Sequence, residues 1–152
     1  MKYENYFLDN LLPLSNDYYA EMPNFENVEW HFYVAEHNGE PVSFTGLGLQ
    51  PDINRIYHRS SMTMPGKDKM GGWSTVWNYK INEIKRNGWS KDDTVHYVLT
   101  KHEDKRYQKR GWDVYTTKNV VIDGIEFEQT IWYKKWKDLI EHPKPHVINN
   151  MD

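Results

Sequence analysis

Two glycines stand directly before the most regular helical pattern in the sequence. Gly71 and Gly72 follow Lys67 and Lys69, and the helical pattern begins at Trp73. Glycine lets the main chain approach a ligand closely, and the N–H groups at a helix start point outward with the positive end of the helix dipole behind them. This pattern predicts a site for an anion such as a phosphate or a pyrophosphate. The alternative is a tight turn that only joins a strand to a packing helix, since short glycine motifs are common.

The helix that would carry this site is predicted over residues 73–87. Lys85 and Arg86 lie in its last turn, and Gly88 follows as a stop signal. Five apolar side chains recur at helical spacing and are expected to form the buried face of the helix. These are Trp73, Val76, Trp77, Ile81 and Ile84.

Length and composition bound the class of protein. The 152 residues are expected to form one domain, 1–152, in which a 15% share of aromatic residues supports the core. The absence of cysteine excludes disulfides, thiolate metal sites and a cysteine nucleophile. The histidines show no spacing typical of a metal site. Since the sequence has no apolar run of membrane-spanning length and no apolar signal segment at residues 1–5, a cytoplasmic protein without membrane contact is expected.

Charge is unevenly distributed along the chain. The formal net charge is -3, but residues 1–40 contain eight carboxylates against one lysine, which gives -7 there and +4 in residues 41–152. A split of this kind predicts a phosphate-bearing ligand for the basic part and a cationic ligand for the acidic part. Solvated surface charge without a partner is the alternative. Nucleic-acid binding through the basic run at 101–110 is not expected at this net charge.

Periodicity and turn signals place the other elements around this helix. Residues 1–28 are predicted to contain short helices, and 137–152 to form a surface tail. Asn38-Gly39 and Asp123-Gly124 are hairpin signals. Strands are predicted at 30–36, 41–49, 53–64, 94–99, 112–122 and 125–133, with a short helix at 103–110. Strands on both sides of a central helix predict an α/β sheet of mixed direction.

Four segments of this pattern resemble the GNAT superfamily of acyl-CoA-dependent N-acetyltransferases. Phe32–Phe44 resembles the family's second and third strands with their hairpin, and Lys69–Ser74 resembles its pyrophosphate loop, Q/R-x-x-G-x-G/A. Tyr107–Trp112 resembles the tyrosine-to-glycine-aromatic signature, and Glu126–Trp136 resembles the closing strand. Each motif is weak alone, but their order and spacing over residues 29–136 are specific. The resemblance implies a GNAT-like α/β (α+β) fold with a mixed, mostly antiparallel central sheet and helices on both faces.

The sequence departs from the family pattern at three positions. Lys69 stands where Gln or Arg is usual, Ser74 where Gly or Ala is usual, and Thr100 where an asparagine often precedes the tyrosine. Both loop changes keep the backbone donors, but Ser74 adds bulk at a close contact. The alternative to an active enzyme is therefore a catalytically inactive GNAT-fold protein that binds or regulates through protein contacts.

The resemblance implies that acetyl-CoA is the co-substrate and assigns residues to it. Met62, Thr63 and Met64, on the strand before the loop, are expected to pair with the pantetheine arm. The pyrophosphate is expected to lie against the loop and the first turn of the helix, mainly through backbone N–H groups. The residues implied there are Lys67, Lys69, Met70, Gly71, Gly72, Trp73 and Ser74.

Acetyl transfer to an amine needs an acid for the leaving thiolate and a base for the amine. The family motif assigns Tyr107 as the acid, since a phenol with a pKa of about 10 stays protonated at neutral pH. A tyrosine that only packs beside Trp112 is the alternative. Three residues are candidates for the base, or for the end of a water chain that leads to it: His58, Glu36 and His96.

The family's acceptor site lies against the N-terminal helices and the early strands. In this chain that region is acidic and rich in aromatic residues. Carboxylates attract a cation, and aromatic faces can hold it. A positively charged amine is therefore expected as acceptor: a polyamine, an aminoglycoside, a lysine side chain or a protein N-terminus. The alternative is that these aromatic residues only form core. A homodimer is compatible with the resemblance.

Overall fold

A six-stranded mixed sheet forms the centre of the protein. The computed structural model describes residues 27–64, 66–67, 69–100, 105–122 and 124–141. Its strands are β1 Glu29–His37, β2 Glu40–Gln50, β3 Arg55–Thr63, β4 Val95–Thr100, β5 Asp113–Ile122 and β6 Ile125–Lys135. Their order across the sheet is β1-β2-β3-β4-β6-β5, and every neighbouring pair is antiparallel except β3 and β4.

Among the described residues, three α-helices pack on this sheet: α1 Gly72–Asn87, α2 Lys105–Lys109 and α3 Trp136–Glu141. α1 joins β3 to β4, because two parallel neighbours need a crossover connection of this length. Gly88 ends α1 in the left-handed region at φ +63, and its N–H donates to the carbonyls of Ile84 and Lys85. The glycine stop predicted from the sequence is therefore confirmed.

The β1–β2 hairpin has the turn that its sequence predicts. Asn38 and Gly39 have positive φ angles of +53 and +79. A two-residue type I′ turn requires positive φ at both positions, and asparagine followed by glycine meets that requirement best. The turn sets the register of the first two pairs, His37 opposite Glu40 and Glu36 opposite Pro41, and a bulge shifts it by one residue before Ala35, which lies opposite Ser43.

The two faces of the sheet carry different clusters. The main core holds Trp77 of α1, Tyr107 of α2 and Leu139 of α3 together with Trp132 of β6. The three described helices thus share one cluster, while residues 1–26, predicted to supply helices, lie outside the described residues. Neighbouring residues of β6 enter opposite clusters, as the two-residue period of a strand requires. The second cluster is rich in tyrosine and contains Tyr57, Tyr97 and Ile131.

The predicted fold class is confirmed, with two corrections to the elements. The third strand begins at Arg55 rather than at 53, because Pro51–Ile53 forms a short 3-10 helix with proline at its start. The tail prediction for 137–152 is wrong over its first residues, since Trp136–Glu141 is helical and Leu139 is buried. This helix is too short for its period to be read from the sequence. Residues 142–152 lie outside the described residues.

Two negative findings apply to the described part of the chain. None of its helices combines the length and the apolar character that crossing a membrane requires. The same residues contain no group of three His, Cys, Asp or Glu side chains arranged to hold a metal ion.

Candidate functional site

The parallel strands β3 and β4 separate partway along their length. Their pairing covers only four residue pairs, and the last of these is His58 opposite Val98. β3 continues to Thr63 and β4 to Thr100. On its other side β3 stays paired with β2 as far as Thr63. An opening therefore lies between the C-terminal halves of β3 and β4, with its closed end at His58.

A β-bulge in β3 lies beside this opening. Phe44 of β2 is opposite Met62, but Gly46 is opposite Arg59, so β3 holds one extra residue at 60–61. A bulge bends its strand and increases the local twist. Because the extra residue comes just after the last β3–β4 pair, the bulge accounts for the divergence of the two strands.

Thr63 presents its main chain to the opening. The Met64 N–H donates to the Val42 carbonyl of β2 at 2.8 Å. Along an antiparallel ladder the hydrogen-bonding direction alternates from one residue to the next. Met62 and Met64 therefore direct their N–H and C=O groups towards β2, and Thr63 directs its own towards the opening. Of the three predicted pantetheine residues, Thr63 has the geometry for main-chain pairing with an extended ligand.

The start of α1 lies at the same end of β3. Gly71 precedes the helix in the left-handed region at φ +71, and no described side chain caps the helix start. The first helical hydrogen bond runs from the Thr75 N–H to the Gly71 carbonyl at 3.1 Å. The helix itself therefore does not use the N–H groups that precede Thr75. The positive end of the α1 dipole lies at these groups, and the predicted anion site at this helix start stays a prediction.

Gly72 brings α1 into close contact with β2. A Cβ built on Gly72 would lie 2.5 Å from Val42 Cγ1 and 2.7 Å from Ser43 Oγ. No side chain tolerates such distances, so only glycine permits this approach. At Gly71 an added Cβ would meet nothing within 4 Å. The close approach of the helix start to β2 thus depends on Gly72.

Gly72→Ala is expected to destabilise the fold and to displace the start of α1. Overpacking of this kind costs about 1–3 kcal/mol, which urea unfolding measures as a lower free energy of unfolding. Thr75→Ala is the matched control, because Thr75 is exposed and its side chain only donates to the Gly71 carbonyl. Equal stability of Gly72→Ala and the wild type would show that the contact with β2 does not constrain the helix.

The remaining residues of the predicted phosphate loop surround this helix start. Lys67 Nζ pairs with Glu40 Oε2 at 2.8 Å, and the hydrogen bond and charge of the lysine lower the pKa of the Glu40 carboxyl. Lys67 therefore already has an anionic partner, and a phosphate would have to compete with it. The other predicted loop and first-turn residues are exposed, as Lys69 and Met70 are, or half-buried, as Trp73 and Ser74 are.

Tyr107 lies in the main core. Its ring stacks on Trp132 at 5.8 Å between centroids and meets Trp112 edge-on at 5.9 Å. Its main-chain carbonyl accepts hydrogen bonds from the N–H groups of Arg110 and Trp112, and these bonds turn the chain from α2 into β5. The packing against Trp112 that the sequence allows is therefore present. It fixes the phenol ring and is compatible with an acid role for the hydroxyl.

Lys134 of β6 fastens the turn that follows Tyr107. Its Nζ donates to the Arg110 carbonyl at 2.6 Å and lies 5.8 Å from the Trp112 ring centroid. A lysine at this place satisfies one of the carbonyls that the end of a helix leaves unpaired. Nothing in the period of β6 distinguishes Lys134, so sequence reasoning missed this contact.

Two of the three candidate bases form a buried pair. His58 Nε2 lies 2.8 Å from His96 Nδ1, and His96 Nε2 lies 2.9 Å from Ser90 Oγ. The two imidazoles are 1% and 0% exposed. The His58 ring packs against Trp77 and the His96 ring stacks on Trp136. His58 is the last residue of β3 paired with β4, and its second ring nitrogen, Nδ1, is buried like the rest of the pair.

Burial keeps the His96 ring neutral. Loss of hydration lowers the pKa of His96 to about 3, with a further contribution from the charge of Lys80. A neutral imidazole carries one N–H, so one ring nitrogen of His96 donates and the other accepts. The two hydrogen bonds of His96 are therefore coupled, because the proton position in one fixes its position in the other.

Lys80 is a fully buried lysine that the predicted helix face did not include. Its Nζ donates to Thr45 Oγ1 at 2.8 Å and lies 4.3 Å from the Trp77 ring centroid. Burial lowers the pKa of Lys80 well below 10.5, which favours the neutral amine. The signal was available in the sequence, since Lys80 lies three residues after Trp77 and four before Ile84, within the apolar stripe.

Lys80→Met is expected to raise the free energy of unfolding at pH 7 by about 1 kcal/mol. In the wild type Lys80 is charged in the unfolded chain and must lose its proton when the protein folds, which costs free energy that methionine does not. The folded pKa lies below the unfolded value, so wild-type stability rises with pH until about 10.5 and then levels off. Lys80→Met lacks this rise. Urea unfolding at pH 7, 8.5 and 10 measures it, with the exposed Lys85→Met as control. If the free energy of unfolding changed with pH equally in the wild type and in Lys80→Met, the burial of Lys80 as a neutral amine would be contradicted.

Glu36 lies away from the opening. It is exposed near the end of the edge strand β1, opposite Pro41 of β2. Strands in a sheet are about 4.8 Å apart, so β1 lies about 10 Å from β3. The structure thus brings Thr63 together with the helix start, and His58 together with His96, but it does not bring Glu36 to either group.

Comparison with known proteins finds the same fold. No protein-family model and no curated protein matches the sequence. The ribosomal-protein-S18-alanine N-acetyltransferase from Escherichia coli superposes over 82% of this chain and 75% of its own, at a TM-score of 0.56 and 10% identity. An aminoglycoside 6'-acetyltransferase type Ii superposes over 72% of this chain and 70% of its own, at a TM-score of 0.51 and 19% identity. The third is a Bacillus anthracis protein named as a streptothricin acetyltransferase, which was solved with acetyl coenzyme A. It superposes over 74% of this chain and 65% of its own, at a TM-score of 0.53 and 14% identity.

Proposed function

We propose that this chain, which has the fold of the GNAT N-acetyltransferases, transfers an acetyl group from acetyl-CoA to a cationic primary amine. The amine attacks the thioester directly while both substrates are bound. Fold alone does not fix an activity, so the proposal rests on the opening between β3 and β4 and on the groups around it.

The observation that carries the proposal is the edge of β3 beyond its last pair with β4, which leads to the start of α1 after Gly71. An extended pantetheine arm can pair with the main chain of Thr63 as an added strand would. The pyrophosphate can accept hydrogen bonds from the N–H groups after Gly71, where the helix dipole favours negative charge. Both contacts come from main-chain atoms, so the departures at Lys69 and Ser74 leave them intact.

The reacting groups follow from the closed end of the opening. His58, on β3 where the pairing with β4 ends, is the base in this proposal, and because its ring is buried, a water chain carries to it the proton that the ammonium group must lose before it attacks. Tyr107 can donate its phenolic proton to the departing thiolate, because a phenol is protonated at neutral pH. The proton released when the amide forms can then return to the tyrosine.

A cationic amine is the acceptor that the charge distribution supports. Residues 1–40 carry a net charge of -7, and the exposed carboxylates of Glu29 and Glu36 on β1 belong to that region. A field of this sign concentrates cationic substrates and raises their association rate. Polyamines, aminoglycosides, lysine side chains and protein N-termini all meet this description.

Thiol release measured with a panel of amines tests the proposal. Acetyl-CoA is incubated with the protein and with one member of each acceptor class, and free CoA is followed colorimetrically. Release that depends on a cationic amine supports the transferase. Binding of acetyl-CoA without release for any amine would instead favour the inactive GNAT-fold binding protein, and absence of both would remove the basis of the proposal.

A further inference from the structure

We propose that Ser43 is a positioning residue for acetyl-CoA, which sets the spacing between the strand edge at Thr63 and the helix start at Gly72. This proposal rests on the proposed function, in which Thr63 pairs with the pantetheine arm and the start of α1 receives the pyrophosphate. Ser43 itself touches neither part of the ligand and acts through the two elements that do.

Ser43 is hydrogen-bonded to the residue that faces the opening. It is fully buried on β2, directly opposite Thr63 of β3. The Ser43 Oγ lies 3.1 Å from the Thr63 Oγ1, and either hydroxyl can donate. The other link at this end of β3 is the bond from the Met64 N–H to the Val42 carbonyl. Both links join the part of β3 beyond its last pair with β4 to β2.

The same serine lies against the start of α1. A Cβ added to Gly72 would be 2.7 Å from the Ser43 Oγ, so no side chain fits between them. Val42 meets Gly72 as well, although consecutive residues of a regular strand point to opposite faces. The register of β2 against β1 shifts by one residue at Val42. A bulge of this kind re-aims side chains, which explains why two neighbours both reach the helix start.

Ser43 thus connects two elements that the chain itself connects only indirectly. Between Thr63 and Gly72 the chain runs through residues 64–71, which include the loop before α1. Through Ser43 the same two residues are joined by one hydrogen bond and one close contact. Closely packed interiors transmit small displacements, whereas surface loops yield to them. The buried serine therefore fixes the distance between strand edge and helix start more tightly than the loop does.

A fixed distance matters for a ligand that bridges both elements. The pantetheine arm and the pyrophosphate belong to one molecule, so acetyl-CoA gains both sets of contacts in full only when their spacing matches its own. A ligand that carries only one of the two parts does not depend on this spacing. Ser43 therefore affects the affinity for the whole CoA molecule rather than for either part.

Ser43→Ala and Thr63→Val test the proposal, since each removes one hydroxyl of the bond and leaves the main chain unchanged. We expect each variant to bind acetyl-CoA about fivefold more weakly in calorimetric titration, the factor that one hydrogen bond is typically worth. The double variant should bind no more weakly than either single variant, because all three lose the same bond. Thr117→Val, at an exposed position of β5, is the control and should keep the wild-type affinity.

Two fragments of the ligand give a readout that separates positioning from packing. S-acetylpantetheine carries only the arm, and ADP carries the pyrophosphate without the arm. Their dissociation constants follow from displacement of acetyl-CoA, and in Ser43→Ala and Thr63→Val both should stay within about twofold of the wild-type values. A residue that only maintained packing at one of the two elements would weaken the corresponding fragment as much as acetyl-CoA.

The outcomes distinguish this proposal from the proposed function. If the wild type, Ser43→Ala and Thr63→Val bind acetyl-CoA equally, or if a fragment weakens as much as acetyl-CoA, the positioning role is refuted and the transferase stands. Failure of either fragment to displace acetyl-CoA from the wild type would also refute it, because the ligand would then have no second element to bridge. If acetyl-CoA does not bind the wild type, the proposed function fails and this proposal fails with it.

Discussion

Tyr107→Phe is expected to lower the rate of amine-dependent thiol release by about 100-fold. An acid placed to protonate a leaving group typically contributes 10²–10⁴-fold, and phenylalanine cannot supply a proton. The substitution keeps the ring that stacks on Trp132 and meets Trp112, so the fold and the turn after α2 should be preserved. Steady-state release of CoA at saturating acetyl-CoA measures the effect.

Tyr79→Phe is the control for this substitution. Tyr79 is 55% exposed on α1, and removal of its hydroxyl should leave kcat unchanged. The dissociation constant of acetyl-CoA should be within twofold of the wild type in both variants, because neither hydroxyl belongs to the proposed pantetheine or pyrophosphate contacts. A Tyr107→Phe enzyme with wild-type kcat would leave the tyrosine with a packing role only.

Acidification is expected to remove about 5 kcal/mol of stability through His96 alone. The pKa of this ring is about 6.5 unfolded and about 3 folded, and each unit corresponds to about 1.4 kcal/mol. Between these values the unfolded chain binds more protons, so stability falls as pH drops below 6.5 and levels off below 3. Because His96 is fully buried, solvent screening does not reduce this effect.

Urea unfolding at pH 7, 5.5 and 4.5 measures this loss. The wild type should lose about 3 kcal/mol more than His96→Gln by pH 4.5, two units below the unfolded pKa. His37→Gln, at an exposed position beside the β1–β2 turn, should follow the wild type. If the free energy of unfolding fell equally with pH in His96→Gln and the wild type, the His96 ring would take up its proton as readily in the folded protein as in the unfolded chain.

The sequence predicted those parts of the fold that local patterns determine. Asn38-Gly39 requires a type I′ turn, and the apolar stripe from Trp73 to Ile84 requires a helix that ends at Gly88. The uncapped glycine start of α1 could be predicted for the same reason, because residue types within a few positions decide it. The order of these elements was enough to predict the mixed sheet.

The contacts that the sequence did not predict join residues far apart in the chain. His58 and His96 are 38 residues apart, and only the parallel register of β3 and β4 brings them together. The bulge in β3 follows from its pairing with β2, so Thr63 could not be distinguished from Met62 and Met64 beforehand. Lys80 was missed for a different reason: a lysine within an apolar stripe is ordinarily assigned to the surface.

Calorimetric titration of acetyl-CoA into the wild type and Thr63→Pro tests the central claim most directly. Proline at this position removes the N–H that faces the opening and keeps the ladder bonds of Met62 and Met64 to β2. We predict wild-type binding with a dissociation constant between about 1 µM and 1 mM, the usual range of enzyme substrates, and affinity at least tenfold weaker in a folded Thr63→Pro. Absence of heat with the wild type, or equal affinity in the two proteins, would contradict main-chain binding of CoA in this opening.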